Sequence, residues 1–265
     1  MSFLRSIGCA LAALLAIAVA TAPAAAQQRG DEAAIAFALE RGRLLFDLDR
    51  AAWVGTDDMV AQVSGWREAG MRGYVVERDG TGYRVVFFGG PEAAPVAHYV
   101  GRVENHRVVS REVFAADRRP PLTAAQQRLV AARTIVAGGT SRRACGTHPF
   151  NTAVVPPATP GGPIDVYLMT PQVEDGEFPL GGHFRATVDS EGRVVSERAF
   201  TNSCLTMPRP PSDAAALMVS HLLDRVPTEI HVFTAMSAGV PVYVAIARPQ
   251  RVYVVTGEAI RRVRR

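Results

Sequence analysis

The side chains best equipped for chemistry gather around one irregular stretch of the chain. From Cys145 to Pro163 it reads Cys-Gly-Thr-His-Pro-Phe-Asn-Thr-Ala-Val-Val-Pro-Pro-Ala-Thr-Pro-Gly-Gly-Pro, stiff Pro mixed with permissive Gly. Two residues separate Cys145 from His148, so a thiol and an imidazole base lie near each other. A quieter use of Cys145 is a disulfide to Cys204, the other cysteine remaining once Cys9 is set aside with the leader. His148 and Asn151 can offer polar groups to a ligand, Asp165 is the nearest carboxylate, and His183 supplies a second imidazole. We expect a ligand-binding loop tied down by Cys145–Cys204, with His148, Asn151, Asp165 and His183 as its binding residues and no catalytic residue. The rival chemistry is hydrolysis, with His148 or His183 as base and Asp165 as the supporting carboxylate.

Stronger catalytic patterns are missing. No His-x-x-x-His or Cys-x-x-Cys spacing occurs among the six His and three Cys, so no metal site is expected. Gly-x-Ser-x-Gly and Ser-x-x-Lys are absent, and no phosphate-cradling Gly loop appears. No cofactor is implied. Gly161-Gly162 and Gly181-Gly182 read as turn glycines, and Trp53 and Trp66 as core anchors.

The leader places the protein. Arg5 gives a small basic start, Ile7–Ala20 an apolar run, and Ala24-Ala25-Ala26 a cleavage site of small residues. Residues 1–26 therefore read as a signal peptide, too short for a membrane span of about 20 residues. The expectation is a soluble periplasmic or secreted chain beginning at Gln27, with no stable membrane span. The formal charge of +4 rests on Arg5 and on the basic tail 261–265, and the rest is close to neutral. Nucleic-acid binding is excluded on that ground. Apolar residues at 48% and charged ones at 20% describe an ordinary globular chain.

Elements that could carry these residues follow from periodicity. Asp31–Arg50 has the broad apolar stripe of a helix, and Thr56 with Asp57 and Asp58 reads as the cap of a second. From Gly73 the period falls to two. Hairpins are expected at 74–88, turning at Asp79-Gly80, and at 98–114. Thr123 caps a helix that Gly138-Gly139 stops. A further helix is expected from Asp213 to about Leu223, then strands at 229–234, 242–247 and 252–256.

The chain also repeats itself. His98-Tyr-Val-Gly-Arg-Val-Glu-Asn followed by Arg107-Val-Val-Ser-Arg-Glu-Val-Phe matches His183-Phe-Arg-Ala-Thr-Val-Asp-Ser followed by Arg193-Val-Val-Ser-Glu-Arg-Ala-Phe. Each leads to Arg-Pro-Pro, at Arg119 and at Arg209, and to a capping residue before an Ala pair. Gly161-Gly-Pro-Ile-Asp-Val likewise parallels Gly239-Val-Pro-Val-Tyr-Val. The fold class is α+β, antiparallel sheets under covering helices, as tandem α-β-β-β-β units with the last truncated. An N-terminal module over 27–119 and C-terminal modules over 120–260 are expected.

Asn151-Thr-Ala-Val-Val-Pro-Pro, Gly161-Gly-Pro-Ile-Asp-Val-Tyr-Leu, Gly181-Gly-His-Phe-Arg and Phe200-Thr-Asn-Ser-Cys together resemble an uncharacterised family of exported alphaproteobacterial proteins. That resemblance implies export and no particular activity. Phe184-Arg-Ala-Thr-Val-Asp-Ser-Glu-Gly-Arg-Val-Val resembles the hairpin of the C-terminal domain of TonB-type energy transducers, implying a local β-β-α-β order. The functional expectation is a non-enzymatic periplasmic protein that binds a protein or another envelope component. A hydrolase sited at the Cys145–Pro163 loop and a small-ligand carrier are the alternatives.

Overall fold

A computed structural model describes residues 3–139, 142–209 and 216–264, with side chains from residue 25 onward. The leader's side chains, the second Pro-Pro step, the Asp213 cap and Arg265 lie outside the described residues. Among these residues no helix is long and apolar enough to cross a membrane.

One helix, α1 (Phe3–Gln62), replaces the two expected. Thr56 does not cap: its hydroxyl donates back to the Ala52 carbonyl at 2.7 Å, the bond of a Thr within a helix. Gly42, inside α1, is there for contact. A Cβ at this position would lie 2.5 Å from Val232 Cβ and 2.7 Å from the Glu229 carbonyl. Only Gly lets α1 pass so close to the segment carrying Glu229 and Val232.

Strands β1 (Met71–Asp79), β2 (Gly82–Gly89), β3 (Val96–Glu104) and β4 (Arg107–Val113) form an antiparallel meander. Helix α2 (Ala124–Gly139) follows, with Thr123 and Gln126 bonding each other's backbone N–H as a capping box. A second meander orders β5 (Asn151–Val155), β6 (Ile164–Met169), β8 (Phe184–Val188) and β9 (Val194–Ala199). Between and after these, β7 (Glu177–Pro179) pairs with β10 (Thr206–Pro208). The two matching hairpins agree in detail. His98 and His183 are each 1% exposed, and their carbonyls accept from Phe114 and Phe200 at 3.0 and 3.1 Å. Each hairpin also carries an irregularity four residues past its His, at Arg102/Val103 and at Thr187/Val188.

The third sheet departs from expectation. Leu217–His221 is not helical but forms strand β11, parallel to β12 (Val242–Ile246), with β13 (Arg251–Val255) and β14 (Ile260–Arg262) antiparallel beyond. Its residues alternate, Leu217 and His221 inward and Met218 and Ser220 outward, which is the strand period. The segment read as a strand at 229–234 is helix α3 (Glu229–Ala238). The Thr228 N–H bonds His231 Nδ1 at 3.0 Å to start it, and Gly239 ends it in the left-handed region. This sheet is not truncated: it has four strands, one of them before its helix.

Alternate residues of the first two sheets point to opposite sides. Val76, Val85, Phe87, Tyr99, Tyr167 and Met169 pack with Leu45, Leu48 and Met59 of α1. Val75, Val86, Val154, Val166, Leu168 and Ala186 pack with Leu129, Val130 and Val136 of α2. Both sheets are therefore roofed by α1 and floored by α2. A third cluster joins Ala38 of α1 and Val232 of α3 to the third sheet.

Candidate functional site

Cys145 and Cys204 are disulfide-bonded, 59 residues apart in sequence. Around the bridge the chain is tightly knit. The Cys145 N–H donates to Thr170 Oγ at 3.2 Å, and that hydroxyl in turn lies 3.0 and 3.1 Å from the Gly181 and Gly182 carbonyls. Gly182 is no ordinary turn glycine: at φ +70° it leaves room for Cys145 Sγ where a Cβ would come within 2.4 Å.

His183 belongs to this block. Its Nδ1 accepts the Thr170 N–H at 3.2 Å, which puts the proton on Nε2, and Nε2 donates to the Pro179 carbonyl at 3.0 Å. Burial drives its pKa down to about 4, so the ring is neutral and both nitrogens are committed. It ties the end of β6 to the end of β7. His148 is exposed on the loop, its Nδ1 3.4 Å from the adjacent Thr147 hydroxyl. Asp165 is paired with Arg41 Nη1 at 2.6 Å and accepts from Thr187 Oγ at 2.7 Å. In register Asp165 faces Thr187, four residues along the strand from His183, or roughly 13 Å at strand rise. Imidazole and carboxylate are thus not brought together.

Asn151 has a different setting. It opens β5 on the α1 side of the second sheet and lines a cleft of about 600 Å³, within the usual range of ligand sites. The cleft lies where the first and second sheets meet beneath α1. One wall is α1, with Asp49, Trp53 and Asp57 spaced i, i+4, i+8 along one face. The opposite wall is α3, with Phe233, Thr234 and Ser237. Tyr74 of β1 and Asn151 of β5 stand at the seam, and the β7/β10 ribbon closes the side through Phe178 and Arg209. Thr170 and Pro179, the partners of His183, also face this space, so the disulfide block braces its wall. At its inner end a further space of about 10 Å³, close to the size of one water, is shared by Asp49, Tyr74 and Asn151.

Packing beyond the cleft holds α3 in place. Buried Glu229 accepts from Tyr167 Oη at 3.0 Å and Arg185 Nη1 at 3.1 Å, clamping the start of α3 to the second sheet.

Several of the cleft's polar side chains have no protein partner; Asp49 and Tyr74 are half-buried and Asn151 is exposed. Among the described residues none bonds the Asp49 carboxylate, the Tyr74 hydroxyl or the Asn151 amide, and the Thr234 hydroxyl is buried with no partner. Asp49 is half-buried, and its desolvation outweighs the opposing charge of Arg50, raising its pKa from 3.8 to about 6. Burial first, and then the charge of Asp49, raise Tyr74 to about 12, so it keeps its proton. Trp53 is not a core residue as expected but 46% exposed, with the Arg50 guanidinium 4.5 Å from its ring centre. Trp66 does pack on the core edge.

Comparison of the chain with protein-family models, curated proteins and solved structures finds no match. Of the residues singled out from the sequence, Asn151 lines this cleft; Asp49, Tyr74 and Thr234 were not singled out. The signal that was there is the row Asp49, Trp53, Asp57, an acid–aromatic–acid stripe interrupting an apolar helix.

Proposed function

We propose that the chain is a non-enzymatic binding protein of the cell envelope that holds a small component of that compartment in the cleft between α1 and α3. The observation that carries this reading is a cleft of about 600 Å³ lined by half-buried Asp49 and Tyr74 and by exposed Asn151, whose side chains have no hydrogen-bond partner among the described residues. A half-buried carboxylate with no protein partner keeps only part of its hydration, so a molecule that supplies its hydrogen bonds is favoured in that space. The leader-like start and the Cys145–Cys204 bridge support an oxidising compartment. The hydrolase alternative draws no support from His148, His183 and Asp165, since each is exposed, locked or paired elsewhere.

The test is native mass spectrometry of the protein isolated from the envelope of its host. A small-molecule adduct is expected on the wild type and none on Ser237→Trp, which fills the cleft from α3. An adduct that persists in the filled variant, or a wild type that carries none, overturns the reading.

A further inference from the structure

We propose that the outer face of the third sheet is a docking surface for a bilayer that carries anionic phospholipid headgroups. The inner face of this sheet packs on Ala38 of α1 and on Val232 and Ala235 of α3. Register sets Met218 of β11 beside Tyr243 of β12, Tyr243 beside Val254 of β13, and Val254 beside Arg261 of β14, so these four share the outer face. Ser220, Ala245 and Val252 form the next row, and the Val263 N–H donates to the Val252 carbonyl at 2.9 Å, which carries the row on to Val263. Met218 is 64% exposed and Leu222, just beyond β11, 68%, with Tyr243 and Val263 also exposed. Apolar side chains left in water side by side on one face mark an interaction surface. None of these residues lines the cleft, so the proposal stands apart from the reading of the cleft.

Charge names the occupant. Residues 239–264 hold five arginines, Arg248, Arg251, Arg261, Arg262 and Arg264, against one carboxylate, Glu258. Arg251 pairs with Asp31 of α1, on the covered side. The other four are exposed and in no ion pair among the described residues. Glu258 lies in the turn before β14, at the opposite end of β13 from Arg248. Asp224, beyond Leu223, is engaged by Arg198 and His221. Arg261 stands three strand spacings from Met218, about 14 Å, so basic and apolar groups meet one surface together. A second copy laid on this face would bring the same cations against one another. A bilayer with anionic headgroups complements both halves: its phosphates accept paired bonds from guanidinium groups, and its headgroup–acyl boundary takes up Met218, Leu222 and Tyr243. Apolar burial and basic charge acting together give a reversible attachment at the membrane surface, with no span required.

The experiment is co-sedimentation of the full chain with vesicles of phosphatidylcholine and with vesicles of an equal mixture of phosphatidylcholine and phosphatidylglycerol. The wild type is expected to bind the mixed vesicles at least about tenfold tighter at about 0.05 M NaCl, and to lose most of that preference at about 0.5 M. Replacing Arg248, Arg261 and Arg264 together by Gln should weaken binding to the mixed vesicles on the order of a hundredfold, about fivefold for each arginine. Met218→Ser combined with Leu222→Ser should weaken it at least about tenfold. All five side chains are exposed, and circular dichroism with thermal melting checks that both variants fold. Equal binding to the two kinds of vesicle overturns the proposal. Binding that either variant retains in full also overturns it, because the contact then lies elsewhere on the chain, the leader included. Absence of vesicle binding overturns it as well; self-association in sedimentation velocity that Met218→Ser with Leu222→Ser abolishes would then give the face to a second copy.

Discussion

Replacing Asp49 by Asn should make the ligand-free protein more stable, not less. The folded chain raises the Asp49 pKa from 3.8 to about 6. A raised acid binds its proton more tightly when folded, so its contribution favours folding below pH 3.8 and is lost as pH climbs to 6. Above that range the ionised carboxylate costs the wild type up to about 3 kcal/mol, at about 1.4 kcal/mol per tenfold in proton affinity. Near pH 4.5 the same arithmetic leaves about 1 kcal/mol. Water reaching Asp49 through the cleft reduces both figures, so about 1–3 kcal/mol is the expected gain near pH 8. Asn has the same size and no charge, and other titrating groups cancel between the two proteins. Urea unfolding of both proteins with the disulfide intact, near pH 4.5 and near pH 8, measures it. A loss of stability near pH 8, or a difference that does not change with pH, would refute the claim that Asp49 is an unmatched carboxylate.

Other substitutions probe the scaffold that shapes the cleft. Gly42→Ala should destabilise by about 1–2 kcal/mol in urea titration, the overpacking against Val232 and the Glu229 carbonyl exceeding the roughly 1 kcal/mol gained in helix propensity; a stabilised variant contradicts the close α1–α3 crossing. Glu229→Ala leaves Arg185 without its buried partner and should cost about 3 kcal/mol by the same assay, with a value near zero counting against the clamp. Removing both Cys145 and Cys204 as Ala should cost about 4 kcal/mol from the freed loop, and an unchanged denaturation midpoint would show the bridge to be idle. His183 is held neutral with a pKa near 4 against 6.5 when free, so its stabilisation is complete above pH 6.5 and lost as pH falls toward 4. About 2 kcal/mol should be gone by pH 5, and a His183→Gln variant with an equally steep acid limb would exclude His183 as its source.

What could be read from the chain alone divides along physical lines. The first hairpins were legible because they alternate strictly and turn at Asp79-Gly80 and Asn105-His106, the latter pair both at positive φ. Helix α2 announced itself through Thr123 and the closing glycines, and the disulfide through the parity of the cysteines. Helix α3 was hidden. Packed between α1 and the third sheet, it is apolar nearly all round, and Ile230, Val232 and Thr234 carry the β-branched bias of a strand. The error at β11 has a related origin, since five residues are too short for period to be decisive against an Ala-rich approach. Continuity of α1 through Thr56 was lost because a capping signal and an in-helix Thr look alike without the Ala52 bond. The cleft was the least legible feature: its residues come from α1, β1, β5, α3 and the β7/β10 ribbon, brought together only by the way the sheets share one roof.

Whether a molecule occupies the cleft between α1 and α3 is most directly seen by crystallography of protein taken from its host's envelope. The account predicts density for a non-water molecule in the cleft, with a polar atom in hydrogen-bonding reach of the Asp49 carboxylate. A cleft filled only by ordered water that satisfies Asp49, Tyr74 and Asn151 would contradict it.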